Sequence, residues 1–212
     1  AERYGLMPTV DRWVIGTVLG NFARLHPAGA QLQTCAINLS GASIDDEDLA
    51  DFILDCIARH KVPAQRVCFE ITETVAVRSL LRVTRVIERL RTAGCRIALD
   101  DFGSGMSSFG YLKNLPVDII KIDGTLTSRV DIDPVKRALV SAVIRLAEEL
   151  DAVTVAEVVE DSRQAHALRQ LGVRLGQGYL FARPLPANEA VVKAGVGRGS
   201  TGTGPSGASR AA

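Results

Sequence analysis

Residues 67–100, VCFEITETVAVRSLLRVTRVIERLRTAGCRIALD, decide the fold. The segment opens on a short apolar run, VCFEI (67–71), continues through an amphipathic stretch to Ala93, and closes on a second run, RIALD (96–100). Strand, helix, strand at this spacing is the pattern of a βαβ unit, whose two strands are parallel. Outward from it the pattern repeats. Upstream, PTVDRWVIGTVLGNFARL (8–25) predicts a helix with a proline suited to its first turn, and TCAINL (34–39) predicts a strand. An acidic start at Asp45–Asp48 then opens a helix to His60; those carboxylates complement the helix dipole and need no cation. Downstream, DFGSG leads to a short helix, DIIKI (118–122) precedes a helix over 134–150, and VTVA (153–156) precedes one over 162–171. A last apolar run around Gly176–Phe181 leads into PLPANEAVVKA. Six such runs predict a parallel sheet buried on both faces. No strand precedes the first helix, so if the sheet closes into a (β/α)8 barrel, the chain starts after at least one missing element.

Composition narrows the function classes. With 25 Lys plus Arg against 24 Asp plus Glu, the chain lacks the basic excess of a duplex-binding module, so a nucleic-acid polymer is not the expected partner. No apolar run approaches the roughly 18 residues of a membrane span, and no signal-peptide pattern opens the chain, so a cytoplasmic location is expected. Cys35, Cys56, Cys68 and Cys95 form no Cys-x-x-Cys pair and are expected reduced and buried. His26, His60 and His166 are scattered, which gives a histidine metal site or a Ser-His-Asp triad little to build on. Any metal would therefore be held by oxygen. Residues 195–212 contain six glycines and no aromatic residue and are expected to be a disordered tail after a domain spanning 1–194.

Each apolar run carries a polar residue at or near its carboxyl end: Asn38, Glu70, Asp100 with Asp101, Lys121, Glu157 and Gln177. In a parallel barrel these ends converge on the face where active sites are built. A polar residue at a strand end is often only a turn or a helix cap. That explanation is weaker for Glu70 and Lys121, which sit among apolar neighbours and would be costly to bury unpaired. Carboxylate and carboxamide oxygens without sulfur or imidazole suit Mg²⁺ or Mn²⁺, and adjacent aspartates can share two such ions, an arrangement used for displacement at phosphorus. Lys121 would then orient the nucleophile, steady the developing charge or assist proton transfer.

With those residues in place, the sequence resembles the EAL family of cyclic-di-GMP phosphodiesterases. The matching stretches are INLS (37–40), FEITET (69–74), LDDFGSGMSS (99–108), IIKID (119–123), VAEVVE (155–160) and QGYLFARPLP (177–186), in family order together with AERYGLM at the start. The resemblance implies an α/β fold, a (β/α)8 TIM-like barrel without its first strand, and hydrolysis of cyclic-di-GMP to linear pGpG. It implies that Asn38, Glu70 and Asp100 help hold one metal ion, and Asp100 and Asp101 a second. Glu157 would sit at the attacking water with Lys121, Asp123 would support the lysine, and Glu160 and Gln177 would line the site. Glu73 would tether the loop Gly103–Ser108, which connects the metals to a homodimer interface. An upstream sensor or diguanylate cyclase domain is expected in the parent chain. The other reading is a non-catalytic receptor for the dinucleotide, or a protein-interaction module.

Three departures from the family pattern stand out. The Glu-Ala-Leu motif does not occur, so the chain is expected to be a fragment, without useful hydrolytic activity until extended upstream. Val158 stands where the family usually has glycine, which is expected to crowd the strand end. Gly124 and Arg174 replace an arginine and an aspartate, which puts substrate contacts at those two places in question.

Overall fold

In the computed structural model, which describes residues 5–25, 34–105, 109–187 and 189–190, the six apolar runs are strands of one sheet. They are β1 (Cys35–Asn38), β2 (Val67–Thr72), β3 (Arg96–Phe102), β4 (Ile119–Ile122), β5 (Val153–Ala156) and β6 (Leu175–Gly176). Every neighbouring pair is parallel, and the order in space is the order in the chain. Helices α1 (Met7–Gly20) and α2 (Phe22–Leu25) precede β1, and α3 (Gly41–Ile44) and α4 (Leu49–Arg59) lead from β1 to β2. Helices α5 (Glu73–Arg78) and α6 (Leu80–Thr92) lead to β3, α7 (Gly124–Thr127) and α8 (Pro134–Glu149) lead from β4 to β5, and α9 (Ser162–Leu171) leads to β6. Sequential parallel strands with helical crossovers form the wall of a (β/α) barrel.

Apolar burial fixes the centre of that wall. Phe69, Ile97, Leu99, Ile120 and Ile122 are at most 1% exposed, and burial of each contributes about 1.5–3 kcal/mol. Helix α6 packs Val83, Val86, Ile87 and Leu90, one helical face, into the same core, and α8 packs Val140, Val143, Ile144 and Ala147. Asp133 caps α8 by accepting from the backbone N–H groups of Val135 and Lys136, and Pro134 follows in the first turn.

Four boundaries differ from the sequence reading. The helix predicted over 8–25 is interrupted at Asn21, whose Nδ2 donates to the Thr17 carbonyl at 2.7 Å and competes with the backbone ladder. The acidic start of the second helix is drawn away from it: Asp46 pairs with Arg12 and Asp45 with Arg82, and α4 begins only at Leu49. The helix after β2 breaks at Ser79, which leaves helical geometry (φ −129°, ψ 39°) so that α6 can lie along the sheet. The run around Gly176–Phe181 is a strand only at Leu175–Gly176. Gly178 then turns away at φ +156°, where a Cβ would stand 2.3 Å from the backbone N and O of Val159. Among the described residues no helix is long and apolar enough to cross a membrane, and the four cysteines are free, three of them buried. The tail expected over 195–212 lies outside the described residues.

Candidate active site

Four charged side chains meet at the carboxyl ends of the strands. Lys121, near the end of β4, donates from Nζ to Glu70 Oε2 on β2 at 3.1 Å and to Asp100 Oδ1 on β3 at 2.7 Å. It also pairs with Glu157 Oε1, just after β5, at 2.9 Å. The lysine side chain is 6% exposed and each of the three carboxylates 13%. Removing any one of these charges from water without a partner costs several kcal/mol, so the four are held in place by mutual pairing. Burial alone depresses the Lys121 pKa, but the hydrogen bonds it donates to Asp100 and Glu157 and the charge of Glu70 outweigh it and leave the pKa raised. The residue is an ammonium. Burial raises the pKa of Glu70 and of Glu157, with Lys121 acting in the opposite sense on both.

Adjacent residues of a regular strand point to opposite faces, so Asp100 and Asp101 could not share a site if β3 were regular. The pairing of β3 with β4 shifts register between Leu99 and Phe102, and Asp101 takes a left-handed conformation at φ +53°. Aspartate tolerates that region better than most residues, and a bulge re-aims side chains. As a result, carboxylate oxygens of Asp100, Asp101 and Glu157 all lie within 4.8 Å of one another. Burial first, and then the charges of Asp100 and Asp123, push the Asp101 pKa up. Three converging hard oxygen donors and no sulfur or imidazole fit a divalent ion such as Mg²⁺ or Mn²⁺.

Beside this cluster opens a cavity of about 410 Å³ lined by Asp101, Asp123, Glu157, Val158, Glu160, Gln177, Gly178 and Tyr179. The structure thus gathers Glu70, Asp100, Lys121 and Glu157 in one bonded group, with Asp101 beside it and Asp123, Glu160 and Gln177 around the opening. Asn38 is exposed at the end of β1 and pairs in register with Glu70. Asp123 makes its hydrogen bond with α7, accepting from Thr125 N at 2.8 Å as the helix cap. Glu73 is 2% exposed and accepts from Gly103 N at 2.9 Å, which fixes the start of the loop after β3. Residues 106–108 of that loop lie outside the described residues. Gly103 takes φ +91°, a conformation strained for any residue with a Cβ, and an added Cβ would also displace the end of the Leu126 side chain.

The sequence matches the EAL domain family over residues 1–184. The chain belongs to that family. It is 38% identical over 186 residues to the cyclic di-GMP phosphodiesterase PdeB of Shewanella oneidensis, covering 88% of this chain and 22% of the relative. It is 32% identical over 186 residues to the cyclic di-GMP phosphodiesterase PdeF of Escherichia coli, covering 88% and 25%. The chain therefore spans about a quarter of the length of these relatives. Among solved structures it resembles the phosphodiesterase PaMucR in complex with c-di-GMP, with a TM-score of 0.83 and 33% identity over 90% of this chain and 77% of that one. It also resembles Klebsiella pneumoniae BlrP1 in a manganese and cyclic-di-GMP complex, with a TM-score of 0.77 and 32% identity over 84% and 45%. These likenesses make the parallel six-stranded wall part of an EAL barrel.

Two of the departures from the EAL pattern prove to be one local arrangement. Val158 adopts φ +52°, a conformation a β-branched residue takes at a cost of about 1–2 kcal/mol. Its Cγ2 occupies the space over Gly124, where a Cβ would stand 2.6 Å away. Val158 fits because residue 124 has no side chain. Arg174 lies elsewhere, lining a cavity with Val153 and Thr154 at the amino-terminal ends of the strands. Sequence reasoning passed over two buried polar residues that touch the site backbone, Thr127 and Gln164. Gln164 reads in sequence as an ordinary residue of a helix start, and only its 4% exposure sets it apart. Tyr179 at the cavity mouth, stacked under Arg183 at 4.3 Å, was also missed.

Proposed function

We propose that this domain is the catalytic module of a metal-dependent phosphodiesterase that hydrolyses cyclic-di-GMP to linear pGpG. The observation that carries this reading is the convergence of Glu70, Asp100 and Glu157 on one buried lysine, with Asp101 turned onto the same side by the bulge in β3. Glu70, Asp100 and Asn38 would hold one Mg²⁺ or Mn²⁺ ion, and Asp100 and Asp101 a second. When bound, such ions polarise the phosphate and lower the pKa of water. The relatives named as cyclic di-GMP phosphodiesterases and the cyclic-di-GMP complexes of the neighbours support the substrate.

The residues of the chain divide the remaining work. Lys121, an ammonium aimed between three carboxylates, orients the attacking water and offers a proton-bearing nitrogen to the charge that grows on the phosphoryl oxygens. Glu157 accepts the water's proton. Attack forms a new P–O bond and breaks the bond from phosphorus to the 3′ oxygen, which takes a proton from solvent to become the 3′ hydroxyl while Glu157 returns its proton to solvent, leaving the 5′ phosphate of pGpG. Asp123 holds the chain after Lys121 through its cap on α7, and Glu160 and Gln177 contact the dinucleotide at the cavity. Glu73, through Gly103, links the loop after β3 to the site, and a homodimer through residues 103–108 would couple there. An upstream sensor or cyclase domain and a cytoplasmic location complete the proposal.

The test is chromatography of nucleotide products after incubating the full-length natural protein with cyclic-di-GMP in Mg²⁺ and in Mn²⁺. Production of pGpG in either ion, abolished by a chelator, is expected. Binding of the dinucleotide without product would replace this reading with that of a receptor.

A further inference from the structure

We infer that Gln164 and Thr127 are positioning residues, forming a buried clamp that fixes the backbone of 157–160 and so aims the Glu157 carboxylate at Lys121 and the two aspartates. The inference rests on the phosphodiesterase reading above and concerns how its site is held. Gln164 is 4% exposed and Thr127 fully buried. The Gln164 amide donates from Nε2 to the Val158 carbonyl at 2.9 Å and to the Thr127 carbonyl at 3.1 Å, and its Oε1 accepts from Glu160 N at 2.8 Å. The Thr127 hydroxyl donates to the Glu157 carbonyl at 2.6 Å. Two side chains therefore bind the backbone of three of the four residues that follow β5, Glu157, Val158 and Glu160.

These bonds are not needed to start α9. Asp161 already caps that helix, accepting from Arg163 N at 2.8 Å and Gln164 N at 2.9 Å. The Gln164 side chain turns away from its own helix into the site wall. The segment it grips needs holding, because Val158 sits in a left-handed conformation that a valine does not adopt unless its surroundings over-determine it. On the other side the segment is bonded to the β6 end, with Val159 N donating to the Gln177 carbonyl at 3.0 Å and Leu180 N to the Val159 carbonyl at 3.0 Å. Helix α7 completes the grip, since Thr127 holds Glu157 while Gly124 receives the Val158 methyl group. Lys121 stands two residues before this helix's cap, Asp123, so the clamp joins the β4 end to the β5 end from behind as the Lys121–Glu157 pair joins them in front.

The experiment compares wild type with Thr127→Val, Thr127→Ser and Gln164→Met in the full-length protein. It reads kcat and KM for cyclic-di-GMP, Mn²⁺ affinity by calorimetry, and folded fraction by circular dichroism. Partners that orient ligating side chains typically change metal affinity or activity by about 10–100-fold. We expect Thr127→Val and Gln164→Met to lower kcat by about 10-fold or more and weaken Mn²⁺ binding several-fold, with KM within about 3-fold. Thr127→Ser, which keeps the hydroxyl, should restore both. Unchanged kcat and Mn²⁺ affinity per folded molecule would overturn the clamp and leave the phosphodiesterase reading intact, as would losses that merely track unfolding. A wild-type protein that neither binds Mn²⁺ nor makes pGpG would overturn the phosphodiesterase reading first, and the clamp with it.

Discussion

At the ends of β2, β3 and β4, and at Glu157 just after β5, polar side chains fix one another; beyond Glu157, on the β5 and β6 side, hydrogen bonds to the backbone fix the residues that face the cavity. Glu70, Asp100 and Lys121 are nearly buried and reach each other directly across neighbouring strands. Glu160 and Gln177 are exposed around the cavity, and the chain that carries them is held by bonds to Thr127, Gln164, Val159 and Ala156. The difference follows from desolvation. A charge taken out of water must find a counter-charge, and that search also sets its position, whereas a charge left in water is positioned only as well as its backbone.

The sharpest way to break this contrast is Asp100→Asn. It should remove most divalent-ion binding and cost at least about 10³ in rate, roughly 4 kcal/mol of transition-state stabilisation. Near-normal hydrolysis would sink the two-ion assignment. Lys121→Met comes next. Leaving three buried carboxylates without their cation should destabilise the ion-free protein by about 3–5 kcal/mol. The melting temperature should fall accordingly, and added Mn²⁺ should recover much of it, about 2.7 kcal/mol at a concentration 100 times the dissociation constant. Affinity for cyclic-di-GMP, titrated in Ca²⁺ to block turnover, should stay within a few-fold, and a parallel collapse would make the lysine a substrate anchor.

Substitution on the open side should behave differently. Gln177→Ala should raise KM while shifting stability by no more than about 0.5 kcal/mol, the usual range for exposed positions. A large drop in thermal stability would show that the exposed half is also held by its side chains. The smallest effect concerns the thiols. Burial, then the charge of Glu70, push Cys68 up to about 12, and burial pushes Cys95 up to about 11. Their folded values lie above the ordinary thiol value, so both stay protonated at pH 8, and their contribution to stability is lost only as pH rises above about 9. Mass spectrometry after iodoacetamide treatment at pH 8 should find both unmodified in the native protein and modified in urea.

The parallel sheet was legible because each strand is a short apolar run between helical periods, and Val67–Ile71 and Arg96–Asp100 need no tertiary information to be seen. Glu70 and Lys121 were legible for the same reason, since a charge inside an apolar run must be explained. The bulge that turns Asp101 toward Asp100 was not. It depends on the register between β3 and β4, which no local pattern encodes. Gln164 was missed because its long-range contact is with Thr127 in α7, 37 residues away, and the Ser-Arg before it reads as an exposed helix start. The extent of the last strand was over-read, because an apolar run does not reveal that Gly178 must press against the backbone of Val159.

Lys121 also bears on how such a domain is made. Small metal domains whose ligands repel one another stay unfolded until the ion arrives, so their biogenesis waits on metal supply. Here a cation built into β4 already gathers three carboxylates from β2, β3 and the β5 end. Ribosomal synthesis can then finish the domain before any ion is loaded. Under the proposed metal-dependent reading, magnesium or manganese scarcity would leave a folded, dormant domain that resupply revives without refolding.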